Sequence, residues 1–182
     1  MDAEVNAIQR VLGARQFSRI EANTCQAGRN DWKTTDPFFS RCEFDVAVGL
    51  AYDGDFRQQV EALDELLSSR GWTGLLAASH SLWMWDGEAQ SIGRIPRAEF
   101  RRGENQLWII FGSTETSGGS WLYDAGCDLA RGTNTKCTEL AFKAYFSEST
   151  GTPWATAWEN AGRPGPLMIV LHFASVYYQD LR

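Results

Sequence analysis

The most regular feature of the chain is an alternation that runs from Cys42 to Tyr52. Cys42, Phe44, Val46, Val48, Leu50 and Tyr52 fall on one side of it, while Arg41, Glu43 and Asp45 open the other. A period of two sends successive side chains to opposite faces, so the segment predicts a half-buried antiparallel strand. Further along, Ala47, Gly49 and Ala51 replace the charges. That change predicts a smooth patch where another segment packs close, with a bend at Gly49.

After Asp53-Gly54 the period lengthens. Phe56, Val60, Leu63, Leu66 and Leu67 recur at helical spacing, with Gln59, Glu61, Asp64 and Glu65 mostly outside the stripe. Asp55 is placed as an N-cap with Gln58 three residues on, and Gly71 is placed to end the helix in the left-handed conformation. The main helix is therefore expected over 55–70. Val5, Ile8, Val11 and Leu12 predict a shorter amphipathic helix over 4–15, a peripheral element docked loosely on the body or continuing an anchor.

The remaining patterned segments read as strands: Phe17 to Thr24, Leu75 to Trp85, Ile92 to Phe100, Leu107 to Phe111, Trp121 to Tyr123, Leu140 to Phe146 and Leu167 to Tyr178. Pro96 argues for an edge position of its strand, because proline donates nothing to a ladder. The last strand is apolar on both sides, with Leu167, Ile169, Leu171 and Phe173 opposite Met168, Val170, His172 and Ala174, and should be central. Strands outnumber helices, and no βαβ unit repeats. The expectation is a single α+β domain over 1–182, a twisted antiparallel meander of about six strands packed by one main helix.

Composition agrees with a folded chain: 182 residues, 43% hydrophobic, 22% charged, and eight Trp, which a disordered segment would not carry. A formal charge of −6 argues against nucleic acid as a partner, since no basic stripe is present to neutralise phosphates. Arg94, Arg97, Arg101 and Arg102 come nearest to one and read as a solvated face. No apolar run is long enough to predict a transmembrane segment, and no signal-peptide pattern opens the sequence.

Four cysteines fall into two loop-sized pairs, Cys25 with Cys42 and Cys127 with Cys137. Zinc sites draw on tight Cys pairs with further Cys or His beside them, and neither His80 nor His172 stands near a cysteine, so no metal is expected. Two disulfides would each contribute about 2–4 kcal/mol and suit an oxidising compartment; four buried thiols in a reducing one are the alternative. The block Cys25-Gln-Ala-Gly28, Asp31-Trp32, Cys42, Tyr52-Asp-Gly-Asp-Phe56 and Gly71-Trp72 resembles a pattern recurrent in small, uncharacterised exported or membrane-anchored bacterial proteins. The resemblance covers residues 17–72. It implies an extracellular or surface-anchored location and no activity.

Catalytic patterns are sparse. A nucleophile needs a base, and only His80 and His172 offer an imidazole. Ser79 and Ser81 flank His80, but neighbours on a strand point to opposite faces, so neither meets it. Asp53 and Asp55 around Gly54 lack the further oxygen ligands of a calcium loop, and Gly112 to Gly119 lacks the order of a phosphate cradle. No cofactor is implied.

The compositional oddity is tryptophan. Trp83 and Trp85 share a strand face, and with Trp121 and Tyr177 they are the candidate ligand-binding residues, because aromatics supply contact area at low entropic cost. Core packing is the competing role for them. Two functions follow as expectations. One is a non-enzymatic binding module whose partner is a protein, a glycan or a small apolar ligand. The other is a small cofactor-free enzyme whose apolar cavity positions a substrate through groups such as Tyr52, Tyr145, Tyr177 or Trp83.

Overall fold

The computed structural model describes residues 1–28, 30, 35–76, 97–113, 144–151, 157, 160–162 and 167–181. Helix α1 (Asp2–Leu12) precedes the strands β1 (Arg15–Ala27) and β2 (Phe38–Tyr52), and helix α2 (Phe56–Ser69) follows. Then come β3 (Thr73–Leu76), β4 (Arg97–Arg102), β5 (Asn105–Ser113), β6 (Ala144–Gly151) and β7 (Leu167–Leu181). The seven strands form one sheet in the order β3-β4-β5-β7-β2-β1-β6, and every pair in it is antiparallel. The α+β class and the antiparallel sheet expected from the pattern are what the chain forms.

Strands β2 and β7 are the spine. They pair along their whole length, from Tyr52 opposite Leu167 to Phe38 opposite Leu181. β7 sits between β5 and β2, which explains why its residues are apolar on both sides. In β1 the register shifts between Gln16 and Ser18, so that Phe17 is an extra residue facing the stretch at Leu50 and Gly49. A bulge of this kind bends and twists the strand that carries it. The bend expected at Gly49 thus has its cause in the partner strand.

Helix α2 begins where the Asp55 side chain accepts a hydrogen bond from the Gln58 backbone N–H at 3.0 Å. It ends at Arg70, with Gly71 at φ 79°, and the Gly71 and Trp72 amides donate back to the Ser68 and Leu67 carbonyls. Phe56, Val60, Leu63 and Leu67 form its buried face. They meet Val46, Val48 and Leu50 of β2, Leu107, Ile109 and Phe111 of β5, and Ile169, Leu171 and Phe173 of β7 in the main core. Inside that core, Phe56 stacks edge-on against Phe111 with ring centroids 5.1 Å apart. A smaller cluster of Ile20, Ala47, Ala51, Met168 and Val170 lies on the opposite face of the sheet, packed by Phe17 and Ile110.

Several expectations need correcting. The N-terminal helix is not loosely docked: α1 places Val5, Ile8 and Leu12 in the main core, and Gly13 in the left-handed conformation stops it at Leu12. β1 starts at Arg15 and runs to Ala27, further in both directions than its apolar residues suggest, because polar groups on both sides hide the period. Among the described residues the edge strand on this side is β3, with β4 one strand further in, and Ile92 to Pro96 of the expected edge strand lie outside the described residues. β6 lies beyond β1 at the far edge, so the sheet is not a simple meander. The Leu75 to Trp85 strand is described only to Leu76, and the Trp121 to Tyr123 segment lies outside the described residues. Among the described residues, no helix is long and apolar enough to cross a membrane.

Candidate functional site

At one end β7, β2 and β1, with β6 alongside β1, run past β5 and its neighbours. β5 stops pairing with β7 at Asn105 opposite Ser175, whereas β7 continues alongside β2 to Leu181. Among the described residues, Val176 to Leu181 therefore have a neighbouring strand on one side only. The register shift between Cys42 and Glu43 leaves Tyr177 as the extra residue of β7. A bulge tilts its side chain away from the regular pleat.

Three features stiffen this ribbon. Cys25 and Cys42 stand directly opposite each other and are joined by a disulfide across β1 and β2. The Tyr177 hydroxyl reaches over β2 to donate to the Asn23 side-chain oxygen at 2.8 Å, and lies 3.6 Å from the Cys25 sulfur. At the tip, the Gly28 amide donates to the Phe39 carbonyl at 2.8 Å. A Cβ on Gly28 would stand 1.8 Å from the Phe38 carbonyl oxygen, so the close approach of the two strands requires glycine there.

The ribbon end is also where apolar surface is left in water. Seven large hydrophobic side chains are exposed among the described residues, and four of them, Phe39, Tyr177, Tyr178 and Leu181, are here. Exposed apolar side chains scattered singly mean little, whereas a group on one end makes that end the candidate contact surface.

The opposite sheet face carries a different constellation. Nε2 of His172 lies 2.9 Å from Oδ1 of Asp45, and Trp108 lies against the imidazole with centroids 4.8 Å apart. The register explains the meeting: His172 faces Ala47 on one side and Trp108 on the other, and Asp45 is one pleat along from Ala47. A carboxylate only accepts, so Nε2 is the nitrogen that donates to Asp45. Nδ1 is the nitrogen beside Cβ, close to the backbone, and it is the poorer of the two for reaching a substrate. The pair resembles a carboxylate-oriented base with its outer nitrogen already used.

A third cluster is ionic. Glu4 of α1 is buried, and its Oε1 accepts hydrogen bonds from Arg102 at 2.9 Å and Arg70 at 3.4 Å, with the Met1 amino group 4.0 Å from Oε2. Arg102 also lies 4.6 Å above the Trp72 ring, a cation–π contact. Burial alone would raise the Glu4 pKa, but the Arg102 hydrogen bond and the charges of Arg102, Arg70 and the amino terminus more than offset it. The carboxyl is held below its ordinary value. Arg102, although partly exposed, thus also ties α1 to β4.

Of the expected ligand-binding residues, Tyr177 is placed on the exposed ribbon end, and Trp83, Trp85 and Trp121 lie outside the described residues. Cys25 and Cys42 form the first expected disulfide, while Cys127, Cys137 and His80 fall outside the description. Asn23, Phe39, Tyr178 and Leu181 were not singled out by the sequence pattern. Only the pairing of β1, β2 and β7 brings them to one place. Among the described residues, no three His, Cys, Asp or Glu side chains gather as metal ligands. In comparisons with known proteins, no family model, no curated protein and no solved structure matches the chain.

Proposed function

We propose that this chain is a non-enzymatic interaction module of an exported or surface-associated protein, and that the end of the β1–β2–β7 ribbon meets a protein partner. The observation that carries the reading is the gathering of Phe39, Tyr177, Tyr178 and Leu181 on that one end. Binding surfaces are enriched in aromatic side chains, and affinity is gained when those side chains are already ordered before contact. The Cys25–Cys42 bond and the Tyr177–Asn23 hydrogen bond supply that order. An oxidising compartment is the natural setting for the bond, which favours export.

The alternative of a small cofactor-free enzyme has one observation in its favour, the Asp45–His172 pair. It is the weaker reading because the imidazole spends its outer nitrogen on Asp45. A variant with Phe39, Tyr178 and Leu181 all changed to Ser tests the proposal. The expected result is an unfolding temperature close to that of the parent, together with loss of discrete partners that the parent retains on affinity purification. A variant that keeps the same partners contradicts it.

A further inference from the structure

We propose that helix α1 is an acid-sensitive latch: ionised Glu4 holds it against α2 and β4, and protonation of Glu4 releases it from the body while the sheet and α2 stay folded.

The first argument is where the polar ties of α1 sit. Among the described residues, those that join it to the rest of the chain are made by two carboxylates of its first turn, Asp2 and Glu4. Asp2 meets Arg19 of β1 at 2.9 Å with most of its side chain in water, where an ion pair contributes little. Glu4 is buried, and its Oε1 is shared by Arg102 of β4 at 2.9 Å and by Arg70, at the end of α2, at 3.4 Å. With the Met1 amino group, 4.0 Å from Oε2, these are the charges that face Glu4 among the described residues. Arg102 is itself held, by the Arg70 carbonyl at 3.3 Å and by the Trp72 ring. The far end of α1 borders an open groove of about 570 Å³, lined by Asn6, Gln9, Arg10, Gly13 and Ala14.

The second argument is what release disturbs. α1 has 11 residues, and a helix that short is marginal in water, so it exists because it is docked. Its anchors Val5, Ile8 and Leu12 are a minor part of a core that α2 and the strands supply. No ladder of the sheet runs through α1, and Gly13 ends it two residues before β1 starts. A terminal element with few anchors opens at a lower free energy than the whole fold.

The third argument is the direction of the titration. Burial alone would raise the Glu4 pKa, but Arg102, Arg70 and the amino group outweigh it and hold the carboxyl below its ordinary value. The tie is therefore intact above about pH 4.3 and is lost as pH falls through the folded value. Protonation also leaves Arg70 and Arg102 as neighbouring cations with no anion between them.

Hydrogen exchange followed by NMR from about pH 7 down to about pH 3 tests the latch. The amides of Ile8 to Leu12 are read against those of Val60 to Leu67 in the same sample, each corrected for its intrinsic rate. In the parent, opening of α1 relative to α2 is expected to rise about tenfold or more in the acid half of the range. Glu4→Gln is expected to open α1 by a similar factor at pH 7 and to flatten the profile. Arg102→Gln keeps the carboxyl but removes its nearest cation, and is expected to move the rise to higher pH. A Glu4 that served packing alone would produce neither the flattening nor the move. Protection lost in step by α1 and α2, a Glu4→Gln profile that follows the parent's, or an Arg102→Gln rise that stays in place would each overturn the latch. The parent and Arg102→Gln profiles decide the case even if Glu4→Gln does not fold.

Discussion

Cys25 and Cys42 face each other across the β1–β2 ladder, and their disulfide fixes the register of the ribbon at that point. The bond spans 17 residues of sequence. A closed loop of that size restricts the unfolded chain by an amount worth about 3 kcal/mol. Reduction, or Cys25→Ala/Cys42→Ala, is expected to lower stability by that order in urea titrations. Proteolytic mapping of the unreduced protein is expected to give a linked peptide pair containing both cysteines, released by reductant. Unlinked peptides from the native protein would contradict the pairing.

Gly28 tests the same ribbon from the other end. Its missing Cβ makes room for the Phe38 carbonyl oxygen, a backbone atom that cannot step aside. Gly28→Ala is expected to push the strands apart, break the Gly28–Phe39 hydrogen bond and slow closure of the 25–42 disulfide during refolding. A variant that oxidises at the parent rate would show that the close approach is not required.

Tyr52 points the other way, towards a gain. The residue is buried in the main core, and among the described residues its hydroxyl has no hydrogen-bond partner. A buried hydroxyl without a partner costs about 1–3 kcal/mol, so Tyr52→Phe is expected to raise stability. Burial also pushes the phenol well above the usual tyrosine range. The stability tied to it is complete below about pH 10, where tyrosine in the unfolded chain ionises, and falls as pH rises towards the folded value. The advantage of the Phe variant should therefore grow above that pH by about 1.4 kcal/mol per unit. An unchanged or lower stability at neutral pH would refute the assignment of a partnerless hydroxyl.

Glu4 predicts an acid-side effect of the opposite sign. Its folded pKa lies below the ordinary value, so its contribution is present above about pH 4.3 and is lost as pH falls through the folded pKa. Glu4→Gln removes the negative charge and leaves Arg70 and Arg102 without their shared counter-ion. The loss at pH 7 is expected near 2 kcal/mol, about half the cost of breaking a fully buried pair, because both guanidinium groups keep part of their solvent. The gap between parent and variant should narrow as pH falls below 4. A gap independent of pH would assign the loss to packing alone.

The pattern of residues carried the elements whose faces differ most. Val46, Val48 and Leu50 against Ala47 and Gly49 defined β2, and Asp55 with Gly71 marked both ends of α2, because caps and strand alternation are local. β7 could be placed at the centre since both of its sides are apolar. What local pattern could not supply was the neighbour of each strand. In β1, Arg19, Glu21 and Asn23 alternate with Ile20 and Ala22, but Arg15, Gln16 and Gln26 at its ends carry no apolar partner in the period, so its full length was hidden. The ribbon surface was less legible still. Tyr177 was visible as an aromatic, but its partner Asn23 lies 154 residues away and two strands over, and nothing near either residue announces the other.

Whether the ribbon end meets a partner is tested by site-specific photo-crosslinking in the native setting of the protein, with a photoreactive residue at Phe39 and, as a control, at Val11. Both side chains are exposed, but Val11 lies on α1, away from the ribbon. A discrete crosslinked product is expected from position 39 and none from position 11. No product from position 39, or the same products from both, would contradict the assignment of the ribbon end as the contact surface.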